Sequence, residues 1–220
     1  MASGSRILSE YDSKQLLRSY GVPTVAEALA ADAEEAAERA SEIGFPVAVK
    51  LCAEGLAHKT ERGLVRLGLT GAAEVRAAAE DLLLRRRAEE ASARLLVQRM
   101  APGRRELIIG MTRDRQFGPC VMLGLGGVLA EGLRDVVFRV APIRPEDALD
   151  MGDELKAAHL LGPFRGEPAV DRDLLAAALV GVGRLGIERA NVLSVDVNPL
   201  VVCGAEPLAV DALVEMDREP

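Results

Sequence analysis

Apolar residues recur at helical spacing from the start of the chain. In "SEYDSKQLLRSYG" Leu16, Leu17 and Tyr20 follow Ser9, which reads as an N-cap with an acid three residues on, and Gly21 and Pro23 close the segment. "DAEEAAERASEIG" predicts a second helix ending at Gly44. The runs "FPVAVKL" and "VRLGLT" then read as short strands, and "GAAEVRAAAEDLLLRRRAEEA" as a long helix with Arg85, Arg86 and Arg87 on a solvated face. From residue 94 the pattern turns to strands: "RLLVQRM", "RELIIGMTR", "PCVMLGL" and "DVVFRVAP", with "MTRDRQFGP" carrying hairpin chemistry. Helices at about 145–157 and 171–186 precede a last pair of strands. The expected class is α+β (α/β) in two lobes, with residues 1–95 as an N-terminal helix and small lobe and 96–220 as a large lobe.

The terminal strands allow a register to be worked out. "SVDVNPLVVCGAEPLAVDA" has two alternating runs around "CGAE", and Gly204 suits the first central position of a type II′ turn. With Gly204 and Ala205 at the turn, paired residues sum to 409, which sets Asn198 opposite Asp211. Alternation places Ser194, Asp196 and Asn198 on one face and Leu193, Val195 and Val197 on the other. A carboxylate beside an amide oxygen is a hard seat for Mg²⁺, which takes its other ligands from water and phosphates. The competing reading is a polar solvent face, and Pro199 moves the strand toward a sheet edge.

Composition narrows the function classes. The chain of 220 residues carries a formal charge of −7, which disfavours nucleic acid as the main partner, and zero Trp with two Tyr and four Phe argues against base-stacking platforms. Cys52, Cys120 and Cys203 lie far apart, with neither a disulfide framework nor metal spacing, so a cytoplasmic setting is expected. No apolar run approaches the roughly 18 residues of a membrane helix, so no membrane partner is expected. The two histidines, His58 and His159, exclude metal sites built on several imidazoles.

Three glycine-bearing stretches are candidates for phosphate contact. "GVGRLG" at 181–186 ends an apolar helix and follows no strand, so it fails as a dinucleotide motif. "GLGGV" at 124–128 follows a strand and would let backbone approach a ligand closely, but lacks the Lys and Ser/Thr of a P-loop. In "AEGLAHKTERGLV" Gly55 and Gly63 bracket His58, Lys59 and Thr60, a loop expected to be mobile and suited to an anion or to the surface.

Taken in order, "YGVP", "GFPVAVKL", "HKTERG", "APGRRELIIGMTRDRQFGPCVMLGLGG", "FRVAPI" and "VDVNPL...AVDA" resemble the ATP-grasp subunit of NDP-forming acyl-CoA synthetases, relatives of the succinyl-CoA synthetase β chain. The resemblance implies an ATP-grasp fold with nucleotide between two lobes. It implies interconversion of acyl-CoA, phosphate and ADP with free acid, CoA and ATP through an acyl phosphate and a phosphohistidine. ATP/ADP and Mg²⁺ are the implied cofactors. The implied partner is a CoA-binding α subunit or domain carrying the primary phosphohistidine, making a hetero-oligomer, with acyl-CoA and phosphate reaching the site through that partner.

Carried over by position, Lys50 matches a strand-end lysine on nucleotide phosphates, and as a lone buried-side cation it suits that task. Gln98, Arg99 and Met100 match the hinge offering backbone groups to adenine, and Glu106 the acid on the ribose hydroxyls. Asn198 and Asp211 match the Mg²⁺ ligands, Asp196 the acid facing the incoming phosphohistidine, and Arg139 a phosphate support. His58 matches a histidine that relays the phosphoryl group to ADP, and imidazole suits such a relay as a nucleophile near neutral pH. Where the family carries two adjacent glycines after "HK", this chain has Gly63 and Leu64. Two other readings stand beside this one: a nucleotide-sensing or vestigial domain attached to a regulatory protein, and a free-standing carboxylate ligase that makes an acyl phosphate itself.

Overall fold

The computed structural model describes residues 4–56, 59–127 and 135–217. They group into two compact units: the described residues of Ile7–Tyr11 and Val25–Met100 in one, and those of Met1–Arg6, Asp12–Thr24 and Ala101–Pro220 in the other. The division at Met100 lies five residues beyond the boundary expected from the pattern. Residues Asp12–Thr24 group with the second unit rather than with the small lobe, because their bonds run there: Ser13 Oγ accepts from the Val214 amide at 3.1 Å, and Pro23 O accepts from the Ala209 amide at 2.8 Å.

In the smaller unit four strands form an antiparallel sheet in the order β2 (Glu27–Ala30), β5 (Arg94–Arg99), β3 (Val47–Cys52), β4 (Val65–Leu69). Helix α2 (Ala33–Ile43) starts where Asp32 accepts from the Glu35 amide at 2.9 Å, and ends at Gly44, whose φ of 89° suits glycine. Ala36, Ala37 and Ala40 of α2 and Val75, Ala79 and Leu82 of α3 (Ala72–Leu84) pack with Val47, Val49 and Leu51 into one core. Alternation therefore turns Ala48 and Lys50 to the other face of β3. The stripe that α3 buries ends at Leu82, and the helix stops at Leu84; Arg85, Arg86 and Arg87 are exposed beyond it rather than on its face.

The larger sheet runs β1 (Ser5–Ile7), β11 (Ala212–Asp217), β9 (Val192–Cys203), β6 (Arg105–Asp114), β7 (Gly118–Leu125), β8 (Val136–Val140), with β10 (Glu206–Ala209) also on β9. Helices α4 (Pro145–Glu154) and α5 (Arg172–Glu188) lie against β8 and against β6, β7 and β9 respectively. The glycines of "GVGRLG" serve this packing: a Cβ at Gly186 would stand 2.8 Å from the Pro119 Cβ, and one at Gly181 only 2.0 Å from the Tyr20 carbonyl. Strands β1 and β2, and the division of the last strand run into β10 and β11, had no clear period in the sequence.

The terminal hairpin has the expected register: Glu206 pairs with Cys203, Ala209 with Leu200, Ala212 with Val197 and Leu213 with Asp196, each of these four pairs summing to 409, and the register shifts only at Met216, which pairs with Val192. β9 is nevertheless an interior strand, not an edge. Pairing with β6 shifts between Leu107↔Leu200 and Ile109↔Val197, so Asn198 and Pro199 together stand opposite Ile108. This bulge absorbs the missing proline N–H within a central strand. Among the described residues no helix is long and apolar enough to cross a membrane.

Candidate functional site

On the larger sheet, cross-strand pairing sets Asp196, Gly110, Met122 and Phe138 in one row, with Leu213 beyond Asp196. Partners in a row share a face, and alternation along β6 adds Glu106 to it. Asp196 and Asn198 are exposed on this face, while Val195 and Val197 are buried beneath α5. Asp211 follows at the β10–β11 corner, where its carbonyl accepts from the Asn198 amide at 3.2 Å. Four of the expected residues, Glu106, Asp196, Asn198 and Asp211, thus come to one side of one sheet.

Their electrostatics bear on a cation. Although part of Asp196 reaches solvent, the protein around its carboxyl strips away enough water to push its pKa above the ordinary carboxylate range, and the charge of Asp211 pushes the same way. Two carboxylates in mutual repulsion with an amide oxygen opposite make a donor set of hard oxygens, which fits Mg²⁺. Among the described residues no group of three His, Cys, Asp or Glu side chains is placed to hold a metal ion. A recess of about 220 Å³ lined by Gly110, Met122 and Phe138 opens beside Asp196.

Lys14 was not legible as a site residue. It is fully buried, and its ammonium donates to the Val210 carbonyl at 3.3 Å, which pins the backbone next to Asp211. Only its place in the register of α1 (Glu10–Ser19), two residues short of the apolar pair, sets it apart from a surface lysine.

Arg139 does not join this face. It pairs with Val121, in line with Met111 and Val195, all three buried on the helix-covered side, and its guanidinium binds Glu154 at the end of α4. Period-two alternation decides this, since Phe138 and Val140, its neighbours, take the opposite side. The expected phosphate support is instead a tie between β8 and α4.

The glycines of "GLGGV" also have a different cause. A Cβ at Gly124 would sit 2.8 Å from Val136 Cγ1, and one at Gly126 3.0 Å from the Glu106 Cβ, so the close approach is to the chain itself. Gly126 donates its amide to the Glu106 carbonyl at 2.7 Å and so backs that acid.

In the smaller unit Lys50 and Gln98 share the face turned from the helices, because Ala48 pairs with Gln98 and Lys50 with Leu96. Lys50 is not a lone cation, nor does it end its strand. Its ammonium binds Glu10 Oε1 at 2.6 Å, and Lys59 binds Glu10 Oε2. Glu10, Lys50 and Lys59 are 4%, 4% and 9% exposed. Of the backbone groups expected to serve adenine, two amides bond within the chain: Arg99 N–H donates to Ala26 O at 2.9 Å and Met100 N–H to Pro46 O at 3.0 Å. Any backbone contact from Gln98–Met100 to a base therefore falls to other groups.

His58 lies outside the described residues. In the described part of its loop Leu64 N–H donates to Lys59 O at 2.8 Å and Gly63 N–H to Thr60 O at 3.0 Å. Leu64 is buried in the small-unit core.

Residues 1–216 match the ATP-grasp domain family, and the chain belongs to it. Within that family it is 40% identical over 211 residues to subunit beta of the ADP-forming acetate–CoA ligase I of Pyrococcus furiosus, covering 94% of this chain and 91% of that subunit. It is 36% identical over 222 residues to the ADP-forming acetate–CoA ligase I of Archaeoglobus fulgidus, where it covers 100% of this chain but 32% of that longer protein. Among solved structures it is similar to the acetyl-coenzyme A synthetase 1 of Ca. Korarchaeum cryptofilum in complex with coenzyme A and Mg-AMPPCP, whose phosphohistidine segment points towards the nucleotide-binding site. That match has a TM-score of 0.81 and 41% identity and covers 95% of this chain and 92% of the other.

Proposed function

We propose that this chain is the nucleotide-binding subunit of an ADP-forming acyl-CoA synthetase, moving a phosphoryl group between a phosphohistidine and ADP. The observation that carries the reading is the group of Asp196, Asn198 and Asp211, in which the charge of Asp211 acts on the Asp196 carboxyl and the Asn198 backbone is bonded to Asp211, a set of hard oxygens that suits a metal–nucleotide complex. Similarity to beta subunits over most of their length supports it. The CoA site and the primary phosphohistidine belong to an α subunit or to a further region of the same polypeptide, a reading that leaves room for the longer relative, of which this chain spans 32%.

In this reading Asn198 and Asp211 hold Mg²⁺, which screens the phosphate charge when bound. Lys50 contacts the phosphates and Glu106 accepts from the ribose hydroxyls, two tasks of positioning and charge neutralisation. Asp196 faces the phosphohistidine, and the apolar recess beside it has room for an imidazole. In ATP synthesis a terminal oxygen of ADP bonds to phosphorus as the phosphorus–nitrogen bond breaks, and the departing imidazole nitrogen keeps the electron pair. His58 relays the group between the partner's histidine and ADP.

The test reconstitutes the chain with a CoA-binding α partner. The chain alone should gain thermal stability with Mg·ADP by mass action and make no acyl-CoA. Adding the partner should yield ATP from acyl-CoA, phosphate and ADP, and His58→Ala and His58→Asn should both abolish that yield. Full ligase activity of the chain alone would overturn the subunit reading, and ATP formation by both variants would remove the relay.

A further inference from the structure

We infer that Glu10 is a positioning residue for phosphate recognition in the smaller unit, holding Lys50 and Lys59 side by side through the two oxygens of one carboxylate. The inference rests on the nucleotide-binding reading above. Glu10 opens α1, where a carboxylate is favoured by the helix N-terminus. Its Oε1 takes Lys50 from strand β3 and its Oε2 takes Lys59 from the following loop, groups 40 and 49 residues away in sequence. Two ammonium groups brought this close repel each other, and a shared carboxylate offsets that repulsion. An ammonium has three donors and can meet a carboxylate and a phosphate oxygen together.

The same bonds fix direction. Lys50 leaves β3 on the face turned from the small-unit core, and Lys59 is drawn to that side by the same acid. A polyphosphate reaching Lys50 therefore meets Lys59 beside it, with the side-chain freedom of both already restricted before binding. Lys59 becomes a second phosphate contact, and Glu10 acts through both lysines without touching the nucleotide.

The experiment titrates the full chain and its Glu10→Gln variant with ADP and, separately, with adenosine, which lacks phosphates. Glu10→Gln keeps the size of the side chain and loses its charge. ADP affinity is expected to fall about tenfold, the worth of a hydrogen bond to a charged group, while adenosine affinity stays within about twofold. Lys59→Gln should lose ADP selectively in the same way, and the double variant should be little worse than either single one. If Glu10→Gln does not fold, as judged by its melting curve, Glu10→Asp takes its place, withdrawing the charge by one methylene, with the same selective loss expected. Equal loss for ADP and adenosine, or no loss for either, overturns the inference and leaves Glu10 a structural residue. A wild-type chain that binds no ADP overturns the functional reading, and this inference with it.

Discussion

The Asn198 amide donates to the Asp211 carbonyl at 3.2 Å, so the residue before Pro199 and the acid at the β10–β11 corner are joined by backbone. Their side chains are thus positioned by main-chain bonding while contributing little to the core. Asp211→Asn or Asn198→Ala should weaken Mg·ADP binding about tenfold or more, as loss of groups at metal sites does. The apo melting temperature should stay within about 2 °C of wild type. Calorimetric titration and thermal denaturation check both parts, and a collapse of apo stability with unchanged affinity would mean the pair is structural.

Asp196 makes a pH-dependent prediction. Its folded-state pKa is raised by burial and then by Asp211, so the folded state binds a proton more readily than the unfolded one. Stability from this group is therefore lost as pH rises from the ordinary aspartate range through the raised value. Asp196→Asn should melt higher than wild type at pH 7, and the gain should close as pH falls to the ordinary range. Melting curves across pH decide it, and a gain that widens at low pH would show the sign to be wrong.

Arg105 is the structural counterpart. Buried at the start of β6, its guanidinium reaches Glu167 at 3.1 Å and the carbonyls of Leu160, Gly162, Pro168 and Gly204. Arg105→Ala leaves these acceptors unmet and should cost roughly 3 kcal/mol or more, lowering the melting temperature by about 6–12 °C. Arg105→Lys should recover little, because one ammonium cannot span the planar fork of contacts. Denaturant unfolding of both variants measures this.

Arg139 tests the assignment of faces. Its partly exposed tie to Glu154 predicts that Arg139→Gln lowers the melting temperature by no more than about 2 °C. ATP formation by the reconstituted enzyme should change by less than about twofold. A loss of a hundredfold in turnover with an unaltered fold would return Arg139 to the phosphate site.

Local rules carried the terminal hairpin a long way. Turn chemistry at Gly204 and strict alternation were enough to number every pair from Glu206↔Cys203 to Leu213↔Asp196, because a tight hairpin leaves one register. The same alternation sorted Asp196 and Asn198 from Val195 and Val197. It did not place Arg139, because which face of β8 the helices cover depends on α4, separated from it in sequence by a turn of unpredictable path. Nor did it reveal that Pro199 sits in an interior strand, since β6, which meets its bulge, lies some ninety residues earlier.

The charges divide in the same manner. Lys50 could be picked out as a cation within an apolar strand, and a motif-level resemblance could say what such a lysine does. That Glu10 and Lys59 stand with it, and that Lys14 is buried beside Val210, could not be read from spacing. Periodicity and turn preference act between residues a few positions apart and are written into the order of side chains. The neutralisation of a buried charge, and the face a sheet gives to its helices, depend on contacts between distant segments and arise when the chain packs.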